Sequence, residues 1–252
     1  MLGAPSIPRR HRVGFALAAL AVLVCGPTAP GQEPKKKAAP ESATVPKPRE
    51  GNAWVKMHES FLERAKKGDV DLLFLGDSIT QGWGGNGKEV WERFYGPRHA
   101  ANFGIGGDRT QHVLWRLENG EVEGIKPKVA VLMIGTNNSG ANSGDEIAEG
   151  VEAIVKKLHE KLPETKVLLL AVFPRGEKPN PTREKLAAVN QRIAKLDDGK
   201  TVKYLDIGPK FLNEDGTLSK DIMPDFLHLT SKGYRIWADA IEPTLWSMLD
   251  EK

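Results

Sequence analysis

Disulfides are excluded at once: the 252 residues contain one cysteine, Cys25, and it lies near the N-terminus. A membrane span is also missing. The apolar run "VGFALAALAVLVC" (residues 13–25) stops after thirteen residues, too short to cross a bilayer comfortably. Charge of one sign is lacking as well. Residues 1–50 carry eight Lys/Arg against three Asp/Glu, whereas residues 51–252 carry 28 against 30. A near-neutral folded part argues against nucleic acid as a partner. No stretch has metal-ligand spacing, so neither metal nor other cofactor is expected.

The front of the chain reads as an address. "PRRHR" (residues 8–12) followed by the apolar run has the pattern of a cleaved export signal, here placed at 1–31. The expected location is periplasmic or extracellular. Cys25 raises lipidation, although Val24 stands where a small residue is usual. Residues 32–50 are rich in Pro, Ala, Lys and Glu without periodicity and read as a disordered tether. Residues 51–252 are long enough for a single domain with one large core.

Within that domain, Trp54, Met57, Phe61, Leu62 and Ala65 fall at helical spacing. Apolar runs at 70–75, 99–105, 128–135, 166–173 and 202–207 predict five strands. Helical patterns at 88–95, 110–119, 145–161, 182–196 and 231–249 lie between and after them. Strands without alternation, separated by helices, predict an α/β fold with a parallel sheet covered on both faces. Right-handed crossovers then put every strand's C-terminal end on one edge, where ligands bind. Gly76-Asp77-Ser78, "GIGGD", "GTNN" and "FPRG" all gather there.

Each candidate has a plain alternative. "GWGGNGKE" (residues 82–89) matches a dinucleotide glycine pattern and nearly matches a phosphate loop. It starts six residues beyond Gly76, however, and Glu89 occupies the magnesium-binding position, so a flexible loop near the site is the better reading. Ser78 is either a helix N-cap or a nucleophile. Of six histidines, His11, His58, His99, His112 and His159 have surface or packing explanations. His228 in "MPDFLHLT" stands three residues after Asp225, a spacing that lets the carboxylate orient the ring toward a serine. Oxyanion donors are expected from the Ser78 N–H, from Gly107 and from the Asn137 amide. Gly107 and Asn137 also suit turns, with Asp108 as the following N-cap. Trp83, Phe173 and Leu227 are candidates for an acyl pocket, though Phe173 and Leu227 are more simply core residues.

Gly-Asp-Ser, a later Gly, Gly-x-Asn and Asp-x-x-His, in that order, resemble the GDSL/SGNH hydrolase superfamily. "NFGIGGDRTQHVLWRLENGE", "PRGEKPNPTREK" and "DFLHLT" are similar to one branch, the catalytic subunits of intracellular platelet-activating-factor acetylhydrolase. The resemblance implies a three-layer flavodoxin-like fold, no metal, and removal of short acyl groups, notably acetyl. It implies Ser78 as nucleophile, His228 as base, Asp225 as orienter, and Gly107, Asn137 and the Ser78 N–H as oxyanion hole. A homodimer is also implied. The export signal departs from that cytosolic branch and leaves the alcohol half of the ester open. The expected substrate is a small-molecule or polymer-borne acyl ester. Deacetylation of polysaccharide is the same-chemistry alternative, and a non-catalytic acyl-glycan binding module the alternative of another class.

Overall fold

The apolar runs form a five-stranded parallel sheet because each can bury side chains on both faces. In the computed structural model, which describes Gly3 and residues 41–250, these strands are β1 (Leu72–Gly76), β2 (Ala100–Gly104), β3 (Val129–Met133), β4 (Lys166–Leu170) and β5 (Val202–Leu205). Their order is β2-β1-β3-β4-β5. The chain steps from β1 outward to β2, then returns past β1 to β3. Loops on either side of β1 therefore diverge, which opens a crevice at the strand ends. Pairing places Gly76 of β1 beside Gly104 of β2 and Met133 of β3. The loops after these three strands thus leave from the same level.

Alternate strand residues face two separate cores. Leu73, Leu75, Ala130, Leu132, Val167 and Leu169 pack under α1 (Asn52–Lys66), α4 (Thr110–Glu118), α5 (Gly144–Lys161) and α6 (Pro181–Ile193). Leu72, Phe74, Val131, Met133 and Leu168 pack under α3 (Lys88–Phe94) and α7 (Ser231–Asp250). Helices, sheet and helices make the three layers of the expected flavodoxin-like fold. Among the described residues no helix is long and apolar enough to cross a membrane.

Three expectations are corrected. The tether ends earlier than residue 50, because residues 41–50 lie against the domain. Ala43 is buried and its carbonyl accepts from Thr110 Oγ1 at 2.7 Å, while the Lys47 N–H donates to the Gln111 carbonyl at 3.1 Å. Proline fixes backbone φ here, so less freedom is lost on docking than the polar composition suggests. The flexible loop at 82–89 is a packed turn: an added Cβ at Gly82 would meet the Tyr234 hydroxyl at 2.0 Å, and one at Gly87 would meet the Trp83 ring at 2.8 Å. Gly82 and Gly87 make room for Tyr234 of α7. Trp83 does not line a pocket, since it is buried among Phe74, Trp91, Tyr95, Tyr234 and Trp237. Phe173 is likewise core, against Phe211 and Trp237, and Leu227 is half-buried against the same core. The expected leader at 1–31, with Cys25, and the rest of the tether at 32–40 fall outside the described residues, Gly3 excepted.

Candidate active site

Ser78 is delivered by a close approach of backbone to backbone. Directly after β1, the short helix α2 (Ser78–Gln81) folds back over the strand ends. Only glycines allow this: a Cβ at Gly76 would meet Thr80 Oγ1 at 2.3 Å, and one at Gly104 would meet the Gln81 nitrogen at 2.3 Å. Capping falls to Asp77, whose Oδ1 accepts from the Ile79 N–H at 2.9 Å. Ser78 is therefore not the N-cap, and its hydroxyl is free for another partner. From behind, the Tyr234 hydroxyl donates to the Ile79 carbonyl at 2.7 Å and ties α2 to α7.

That partner is His228. Ser78 Oγ lies 2.9 Å from His228 Nε2, across 150 positions of sequence. His228 Nδ1 lies 2.6 Å from Asp225 Oδ2. The other carboxylate oxygen accepts from the backbone N–H groups of Leu227 (3.1 Å) and His228 (2.8 Å). Burial alone would raise the Asp225 carboxyl, but these hydrogen bonds, led by the His228 ring, outweigh it and hold the group below the usual carboxylate range. An ionised Asp225 holds the proton on Nδ1 and leaves Nε2 to accept the serine proton.

The loop bearing this pair is braced on two sides. Phe226 sits between Asp225 and His228 with φ of 57°, a left-handed conformation uncommon for a non-glycine residue. Its carbonyl accepts from the Gly176 N–H at 2.8 Å. On the other side, Asn86 Nδ2 donates to the Leu229 carbonyl at 3.1 Å, and Ser231 Oγ donates to the Asn86 carbonyl at 2.6 Å. The glycine-rich turn thus serves as a buttress for the histidine.

Gly107 and Asn137 stand at the neighbouring strand ends. Gly107 is exposed, has φ of 80°, and its N–H has no acceptor among the described residues. Asn137 Nδ2 donates to the Asp108 carbonyl at 2.9 Å, which ties the loop after β3 to the turn after β2, and among the described residues its second N–H has no acceptor. Asp108 is not the N-cap of α4; that position belongs to Arg109, and Asp108 is buried. The Asp108 carboxylate accepts from Trp54 Nε1 (2.7 Å) and Arg116 Nε (2.9 Å). Among the described residues, the other histidines have different partners, and His99 is exposed beside Asp69 and Asp71. His58 is buried beside Glu121, and His112, which burial and nearby arginines lower to about 4, is neutral and accepts from the Arg109 N–H.

Sequence reasoning missed Arg116. It is buried, donating also to the Glu121 carboxylate, the Phe103 carbonyl (3.1 Å) and the Gly76 carbonyl (3.4 Å). The available signal was a cation flanked by Val113, Leu114 and Leu117 on the apolar face of α4. Arg175 stands out in the sequence only within "FPRG" and "PRGEKPNPTREK"; its guanidinium donates to Thr136, fastening the "GTNN" turn to the loop after β4.

Asp77 has a consequence for stability. Among the described residues its Oδ2 has no hydrogen-bond partner, and burial pushes the carboxyl up to about 7, assisted by Asp108 and opposed by His228 and Arg175. In the unfolded chain an aspartate ionises near ~4. Between those values the folded protein keeps a proton that the unfolded chain loses, so this group lowers stability as pH rises from about 4 to about 7. Asp77→Asn keeps the acceptor for Ile79 and removes the titration. Its melting temperature, relative to wild type, is expected to be higher at pH 8 than at pH 4.5 by roughly 5 °C. An equal gap at both pH values would contradict this assignment.

A hydroxyl held by imidazole, an imidazole held by carboxylate, and unused N–H donors at adjacent strand ends can together support acyl transfer. Residues 74–236 match the GDSL-like Lipase/Acylhydrolase family. The platelet-activating factor acetylhydrolase IB subunit alpha2 of Rattus norvegicus is 45% identical over 199 residues, covering 79% of this chain and 86% of that protein. Among solved structures, a GDSL-like lipase from Bacteroides thetaiotaomicron superposes with a TM-score of 0.61 at 19% identity, covering 77% of this chain and 96% of that one. A catalytic mutant of an acetylxylan esterase from Geobacillus stearothermophilus gives 0.56 at 19% identity, covering 72% and 94%. These two show the shared fold. The family match and the 45% relative together show that the chain is a carboxylic ester hydrolase belonging to the GDSL-like lipase/acylhydrolase family.

Proposed function

We propose that this protein is an exported serine esterase that releases short acyl groups, acetyl above all, through a covalent acyl-enzyme. Ser78 attacks the acyl carbonyl while His228 Nε2 takes its proton. Asp225 holds the imidazole and balances its charge. The oxyanion is met by the N–H groups of Ser78 and Gly107 and by the Asn137 amide. His228 then passes the proton to the leaving alcohol, and activates the water that frees the enzyme.

The observation that carries this reading is the unbroken chain from Ser78 Oγ through His228 to Asp225, at 2.9 and 2.6 Å. The acetyl preference is supported by the relative at 45% identity, which is named an acetylhydrolase. Export is supported by the basic and apolar pattern of residues 8–25.

Hydrolysis of p-nitrophenyl esters from acetate to octanoate tests the acyl side. Turnover is expected to be greatest on acetate and to fall steeply with chain length. A preference for octanoate would contradict the short-acyl reading. Asn137→Ala, which removes one oxyanion donor, is expected to lower kcat on p-nitrophenyl acetate by about 100-fold or more, with KM little changed. A loss confined to KM would place Asn137 in ground-state binding instead.

A further inference from the structure

The segment that reads as a tether ends in a side chain touching the oxyanion edge. Residues 41–50 are fastened by Ala43 and Lys47 to α4, and Asn142 Nδ2 donates to the Glu41 carbonyl at 2.9 Å. This brings Arg49 to the turn at 105–108. The Arg49 side chain is 32% exposed, and its Nη1 donates to the Gly106 carbonyl and, at 3.3 Å, to Asp108 Oδ1.

The turn explains why that contact matters. The Asp108 N–H closes it onto the Ile105 carbonyl at 3.1 Å, and Gly107, with φ of 80°, occupies the third position. This is the type II form, which differs from the type I form by a reversal of the central peptide. That peptide joins Gly106 and Gly107 and is trans, so its C=O and N–H point to opposite sides. Fixing the Gly106 oxygen therefore fixes the Gly107 N–H. Two consecutive glycines resist rotation of this plane only weakly, so the orientation needs an external hold. Gln81 Oε1 accepts from the Gly106 N–H at 2.8 Å, but that belongs to the preceding peptide.

We propose that Arg49 is a positioning residue: by gripping the Gly106 carbonyl it keeps the Gly107 N–H turned toward the oxyanion. The segment 41–50 is then part of the working enzyme. This rests on the reading of Gly107 as an oxyanion donor. Asp108 keeps Trp54 and Arg116 when Arg49 is removed, so the buried ion pairs stay closed.

The test uses the full chain and p-nitrophenyl acetate, with kcat, KM and melting temperature measured for Arg49→Met and Arg49→Lys beside Asn137→Ala and Ser78→Ala. Methionine keeps the apolar stem and removes the donors; lysine restores one. Arg49→Met is expected to lower kcat by about tenfold or more while KM stays within about twofold, and Arg49→Lys to recover a substantial part. A wild-type kcat in Arg49→Met, with Asn137→Ala and Ser78→Ala impaired, overturns the proposal and leaves the oxyanion reading standing. If Asn137→Ala also keeps its kcat, that reading falls as well. A loss in Arg49→Met that lysine does not reverse, or one explained by a lower fraction folded, also overturns it.

Discussion

Ser78→Ala is expected to lower kcat on p-nitrophenyl acetate by about 10⁵-fold or more, while the melting temperature stays within about 2 °C of wild type. The two halves of this result have separate causes. Ser78 Oγ is the atom His228 Nε2 faces at 2.9 Å, and among the described residues no other hydroxyl lies within hydrogen-bond distance of that nitrogen. Removing it leaves oxyanion donors and substrate contacts but no nucleophile. Stability is spared because Asp77, not Ser78, caps α2, and Tyr234 anchors the helix through Ile79. Residual activity above about a tenth of wild type would contradict the role given to Ser78.

Arg116→Ala is expected to act on the fold instead, destabilising by about 3–5 kcal/mol. Arg116 is buried and bonds two fully buried carboxylates, Asp108 and Glu121. Without it, both are left as desolvated carboxylates with Trp54, Arg49, His112 and His58 as their neighbours. The carbonyls of Gly76 and Phe103 lose a donor as well. Lysine is not expected to restore stability, because one ammonium cannot reproduce the directions of the guanidinium fork. Thermal and denaturant unfolding measure this. A change in melting temperature below about 2 °C would mean that these charges are not confined as the packing indicates.

The sequence revealed the architecture wherever the physical signal was local. Strands β1, β3 and β4 read directly from unbroken apolar runs, since a sheet covered on both faces has no polar side. The run at 166–173 continues past the end of β4 at Leu170 because Ala171, Val172 and Phe173 stay buried without pairing regularly. Ser78, Asp225 and His228 were legible because each stands at a strand end or in a short spacing that one turn explains. Less legible were features set by distant parts of the chain. Trp83 sits in a glycine-rich stretch, and only α7 shows that those glycines make room for Tyr234. Arg49 lies in a segment whose composition alone suggests disorder. Its role depends on a peptide 57 positions away, which no local pattern encodes.

The most direct test of the central claim is to trap the acyl-enzyme. The protein is mixed with p-nitrophenyl acetate, quenched in acid within the first turnover, digested, and read by peptide mass spectrometry. The expected result is one acetyl group on the peptide containing Ser78, absent from Ser78→Ala. Acetyl on another residue, or a first turnover of p-nitrophenol with no label on Ser78, would contradict it.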